Sequence, residues 1–138
     1  KAAQDMIVAH PEINIFYGTS ADYSLGTLAA LEAAGRGKAK DGVPLTEILV
    51  GTDASESELL KLYDPNCALK ITQGLTPKEN GMLKVDTLIK MLLGEIGLQD
   101  KVEFAGSNKL FDYWSVSVEE AEAWMEEEYF SKVSLSTK

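Results

Sequence analysis

"EILVGTDASESELL", residues 47–60, opens as an apolar, β-prone run, halts at Gly51-Thr52, presents one carboxylate at Asp53 and passes into a serine-led acidic segment. The run from Glu47 to Gly51 has the length and bounds of a buried strand. Ser55 and Glu58 stand three apart, the spacing of a capping box, in which hydroxyl and carboxylate each satisfy an amide that the first helical turn leaves orphaned. A short helix is therefore expected over 56–62. Strand passing into helix within a few residues is the repeating unit of an α/β fold.

The same unit recurs on either side. "INIFYG" (13–18) is a β-branched and aromatic run ended by glycine, and Thr19-Ser20 then supplies an N-cap hydroxyl. The following helix sets Ala21, Leu25, Leu28 and Ala29 along one face before Gly35 stops it. "CALKITQ" (67–73) reads as a third strand. Thr76-Pro77-Lys78-Glu79 combines a second capping box with proline at the favoured first helical position, and Met82, Val85, Ile89 and Leu92 repeat at helical spacing up to Gly94. Residues 1–9 form a helix that ends at His10-Pro11, and 36–46 form a polar loop with glycines and a proline. Later, 101–106 and 112–117 read as extended, and Ser117 caps a last helix with Val118, Ala121, Met125 and Tyr129 on its apolar side.

Three strand-helix alternations with short connections predict an α/β protein: a parallel sheet with right-handed crossovers and flanking helices. Ligands of such sheets bind beyond the carboxyl ends of the strands. Asp53, Thr19-Ser20 and Gln73-Gly74 are expected there, on one rim.

Composition narrows the partners. Within 138 residues, 13 basic and 22 acidic side chains give a net charge of −9, which repels nucleic-acid backbones and anionic membranes. No apolar stretch approaches the ~20 residues of a membrane span. The single cysteine, Cys67, lies in a strand-like run as a small hydrophobe, and one Cys with one His cannot supply the usual four ligands of structural zinc. No metal and no cofactor is expected. His10 beside Pro11 reads as a surface histidine, and no nucleophile elbow or phosphate loop is present, so no catalytic residue is assigned.

The order of "AHPEINIFYGTSADYSLGTLAALEAAGR", "ILVGTD" and "LKITQGLTPKENG" over residues 2–96 resembles the type I periplasmic sugar-binding proteins, the ribose- and galactose-binding group, and the effector domains of LacI-type repressors. The resemblance implies part of the second lobe of a two-lobed α/β fold that closes around its ligand, and it marks the chain as a C-terminal fragment. Residues 1–100 would be the later part of that lobe. Residues 101–138 would be a hinge-crossing segment with a C-terminal strand and helix returning to the first lobe. In the family an asparagine follows the first of these strands, an acid the second and a glutamine ends the third; Ser20, Asp53 and Gln73 match those positions, with serine replacing asparagine. Carboxylate, carboxamide and hydroxyl suit a polyol, and Tyr17 or Tyr23 offers a face for a sugar ring.

The resemblance implies a solute-binding component of an ABC importer that captures a monosaccharide or related polyol and presents it to a membrane permease, without catalysis. Its place would be periplasmic or extracellular, lipid-anchored in a Gram-positive cell. The alternative is the effector-binding domain of a LacI-type repressor. A small enzyme or receiver-like domain working through Asp53 ranks last. An uncovered sheet edge would make a homo-oligomer possible.

Overall fold

The computed structural model describes residues 1–97, 100 and 108–135. Helix α1 (Ala2–Ala9) leads into strand β1 (Ile15–Tyr17) and helix α2 (Ala21–Ala33); a small hairpin, β2 (Ala39–Lys40) and β3 (Val43–Pro44), precedes β4 (Ile48–Asp53). Helix α3 (Glu56–Leu62), β5 (Leu69–Leu75), helix α4 (Pro77–Leu92), β6 (Asn108–Asp112) and helix α5 (Val118–Tyr129) follow. The main sheet has the order β1-β4-β5-β6, the first three parallel and β6 antiparallel at one edge. This is the expected α/β architecture.

Local chemistry accounts for most element ends. Both the Ser55/Glu58 and Ser117/Glu120 capping boxes are formed. At Thr76 the hydroxyl bonds Glu79 Oε2 at 3.2 Å and does not cap the helix backbone, while Pro77 opens α4 and Gly94, at φ 74°, lies just past its end. The segment expected to be a plain loop contains the β2–β3 hairpin, turned by Asp41 (φ 51°) and Gly42 (φ 81°). Asp-Gly is the pair such turns favour. Of residues 112–117, expected to be extended, Asp112 ends β6 and 113–116 turn. Asp112 accepts bonds from the amides of Trp114 (3.0 Å) and Ser115 (2.9 Å), which closes a turn straight after β6. The extended reading of 101–106 lies outside the described residues.

One face of the sheet carries the core. Phe16, Leu49, Thr72 and Phe111 are buried there against α2, α3 and α5. Ile7, Leu28, Leu31 and Leu69 complete one cluster, and Leu59, Leu62, Trp124, Met125 and Leu135 the other. Helix α2 buries Ser24, Leu28, Ala30 and Leu31, so its inward face is rotated from the expected one; in a helix this rich in alanine the periodicity is too weak to fix the side. Lys70 is the extra residue at a register shift between β4 and β5. Its fully buried ammonium donates to Asp64 O at 2.8 Å and lies 3.8 Å over the Tyr113 ring, and burial lowers its pKa.

No described element covers the opposite face. By register Ile15, Tyr17, Val50, Ile71 and Leu110 share it, and Ile15 (65%), Tyr17 (61%) and Leu110 (59%) are exposed. Parallel sheets are ordinarily covered on both faces. Helix α4 does not cover it either: none of its residues is buried, and Met82, Val85, Ile89 and Leu92, the apolar positions at helical spacing, are exposed.

Candidate functional site

The carboxyl ends of β1, β4 and β5 lie side by side because the three strands are parallel neighbours. Hydrogen bonds tie the first two ends together. Gly18 N donates to Val50 O at 2.9 Å, and Thr52 Oγ1 donates to Gly18 O at 2.9 Å and to Tyr17 Oη at 3.1 Å. Gly18 allows the approach: a Cβ there would sit 2.5 Å from Ser24 N.

Asp53 closes β4 with a positive φ of 94°, followed by Ala54 at 48°, an uncommon backbone for residues other than glycine. That twist aims its carboxylate at the start of α2, where Oδ2 accepts the Ala21 amide at 3.0 Å. The aspartate therefore caps the helix before its strand and not the helix after it. Ser55 fills that second role. Asp53 Oδ1 receives no bond from the described residues.

Ser20 is the N-cap residue of α2, in extended conformation, yet its side chain makes no capping bond; its carbonyl accepts instead from Tyr23 N, Ser24 N and Ser24 Oγ. Gln73 lies within β5, two residues before its end, and not at the end itself. In register it pairs with Thr52 and shares that residue's face of the sheet, while Asp53 pairs with Gly74. Gln73 is half-buried, and its carboxamide has no partner among the described residues. The three residues thus stand on one rim: Ser20 and Asp53 meet through the Ala21 amide, and Gln73 is offset by one register step.

Beneath the rim lies a carboxylate read from sequence only as part of a capping box. Glu58 is fully buried. It accepts from Ser24 Oγ, from Thr72 Oγ1 at 3.2 Å and from Ser55 N at 3.4 Å, linking α2, α3 and β5. Burial pushes its pKa up against those three hydrogen bonds, and the Asp53 charge adds to the rise. Gly51 makes room, since a Cβ there would collide with the Glu58 carboxylate. Glu47 is buried too, but for it burial is outweighed by bonds from Thr46, the Gly37 amide and Arg36, whose Nε lies 2.6 Å away, so its pKa falls.

Two recesses adjoin the rim. An apolar groove of about 550 Å³ runs along the free edge of β1 between α1 and α2, lined by Met6, Ile13, Ile15, Tyr17 and Tyr23 among others. A second recess, of about 390 Å³, lies between Asp53, the first turns of α4 and Tyr129 of α5. Tyr129 Oη donates to Asp53 O at 3.3 Å, and its ring packs edge-on against Trp124. Among the described residues no cluster of three potential ligands would hold a metal ion, and no helix is long and apolar enough to cross a membrane.

Solved structures share this fold. An ABC transporter solute-binding protein from Mycobacterium smegmatis with bound glycerol superposes at a TM-score of 0.65 and 23% identity, over 83% of this chain and 35% of that one. One from Agrobacterium vitis with bound allitol gives 0.62 at 20% identity over 83% and 37%. An ABC sugar transporter subunit from Rhodobacter sphaeroides gives 0.58 at 22% identity over 80% and 36%. The fold is that of the solute-binding proteins. The chain spans roughly a third of the length of the structures it matches. No protein-family model matches the sequence, and no curated protein does.

Proposed function

We propose that this chain is the later part of the second lobe of a sugar- or polyol-binding protein that serves an ABC importer, with Ser20, Asp53 and Gln73 contacting the ligand. One observation carries the reading: Ser20, Asp53 and Gln73, at or near the carboxyl ends of neighbouring parallel strands, offer a hydroxyl, a carboxylate oxygen and a carboxamide that bond nothing in the described protein. A ring of hydroxyls needs that mixture of donors and acceptors. The similar structures, one with bound glycerol, one with bound allitol and one a sugar transporter subunit, lend the ligand class.

On this reading residues 101–138 are the hinge-crossing and returning segment, the ligand is held without chemical change, and the partner is a membrane permease met outside the cytoplasm. Among the described residues the rim has no apposed base and nucleophile of the kind a hydrolase uses. The test is a titration of the ¹⁵N-labelled chain with a panel of neutral sugars and sugar alcohols. Saturable shifts at the amides of Ser20, Ala21 and Gln73, weakened by Gln73→Ala, are expected; a panel that moves none of them removes the proposal.

A further inference from the structure

The recess between Asp53, α4 and α5 is built unlike the apolar groove at the other side of the rim. Leu75 and Pro77 give it an apolar floor, and around that floor stand Asp53, Asn80, Lys84 and Tyr129. Its volume of about 390 Å³ falls in the range of roughly 300–1,000 Å³ common to small-molecule sites.

Two features single it out. The first is Gly81, in the body of α4, where a glycine weakens a helix. A Cβ at Gly81 would meet nothing within 4 Å, so no packing against the described protein requires it. It keeps the recess open and lets a ligand approach the helix backbone. The second is Lys84. Lys78, Lys90 and Lys132 each lie within 3.7 Å of a carboxylate, whereas Lys84, one helical turn beyond Asn80, is one of several lysines with no acidic partner among the described residues, and it is the one that lines this recess. In the same recess Asp53 Oδ1 carries no bond, and Asn80, whose Nδ2 donates to Thr76 O at 2.9 Å, keeps its carbonyl oxygen as an acceptor.

We infer that this recess binds a polyol bearing an oxyanion, a carboxylate or a phosphate, its hydroxyls donating to Asp53 and Asn80 and its oxyanion pairing with Lys84. This deepens the proposed sugar-binding role by naming the acidic members of that class. It also extends the site from the β1–β4 side of the rim onto α4 and Tyr129. Asp53 and Lys84 line one cavity, so a neutral polyol satisfies only the first, and a simple anion only the second.

The ¹⁵N-labelled chain is titrated with glucitol, gluconate, glucose 6-phosphate, acetate and inorganic phosphate. Gluconate or glucose 6-phosphate is expected to shift the Gly81 and Lys84 amides at lower concentration than glucitol, and their comparison tells the two oxyanions apart. Lys84→Met should weaken the acidic ligand about fivefold while leaving glucitol unchanged. Gly81→Ala should raise the melting temperature yet weaken binding, an opposition that a merely structural glycine would not produce. Equal shifts by glucitol and gluconate, or the same shifts by acetate or phosphate alone, would overturn the inference. So would shifts confined to Ser20 and Gln73, which leave the broader sugar-binding proposal standing. Silence at every amide for all ligands removes both.

Discussion

Asp53 holds one hydrogen bond that ligand binding would not need to break. Its Oδ2 caps α2 through the Ala21 amide, and Oδ1 is left for a hydroxyl. The two roles separate by substitution, because asparagine caps a helix about as well as aspartate does. Asp53→Asn is expected to keep stability within about 0.5 kcal/mol and to lose most sugar-induced amide shifts, whereas Asp53→Ala should lose about 1 kcal/mol as well. Thermal unfolding read beside the titration separates them; equal destabilisation by both variants would refute the capping role. Glu58 presents the converse case, an acid with structural partners and no solvent. Its pKa is raised, so the native state holds its proton more tightly than the unfolded chain does. The stability it contributes is complete below the ordinary glutamate value of about 4.3 and is lost as pH rises through the raised one. Glu58→Gln, neutral at every pH, should therefore flatten the decline in urea midpoint on going from about pH 4 to pH 7. Glu58→Ala should cost about 3 kcal/mol, because it empties a buried volume and removes the acceptor of the buried Thr72 hydroxyl. A Gln variant with the parent's slope would show that Glu58 is not the titrating group.

At the scale of elements, the sharpest constraint is the crossing of α2 over the end of β1. Gly18→Ala would push a methyl to within 2.5–2.6 Å of the Ser24 backbone and side chain, so strand and helix must part. A loss of about 2 kcal/mol is expected in urea unfolding, and a neutral variant would mean that α2 rides farther from β1. Elements whose cause is local were legible from sequence. The helix expected over 56–62 is α3, because Ser55 and Glu58 act within one turn, and the parallel run of three strands followed from their alternation with helices. The losses came where the cause is distant or weak. An Asp-Gly turn closing strands of two residues escapes a search for longer runs, and nothing within "SESELL" says that Glu58 will meet Ser24 and Thr72. The rim residues were legible as polar groups next to strand ends. Gln73 sits deeper than expected because β5 continues to Leu75, paired there with β6, a strand that sequence had not placed. Asn80, Gly81 and Lys84 looked like an ordinary polar helix face. Only their apposition to Asp53 and Tyr129 marks them.

For the molecule as a whole, three apolar surfaces are left over once the core is filled. The sheet face that no described element covers carries Ile15, Tyr17 and Leu110, the outer edge of β1 is unpaired above an apolar groove, and the stripe of α4 is exposed. Exposed apolar area on this scale is what proteins cover with another surface, and the unpaired amides and carbonyls of β1 are a template for one more strand. The charge of −9 opposes self-association at low salt and does so less as salt screens it. The chain alone is therefore expected to associate in sedimentation velocity as its concentration rises, and more strongly at high than at low ionic strength. Ile15→Lys with Tyr17→Lys should return it to monomer, because lysines along an edge must lose solvent for a second strand to pair. Both positions are already exposed, so the folded core should survive, with an unchanged far-ultraviolet circular dichroism spectrum as the control. A parent chain that sediments as a monomer at every concentration and salt would mean that these surfaces are tolerated bare, and one that associates equally well with both lysines in place would move the contact from β1 to the stripe of α4.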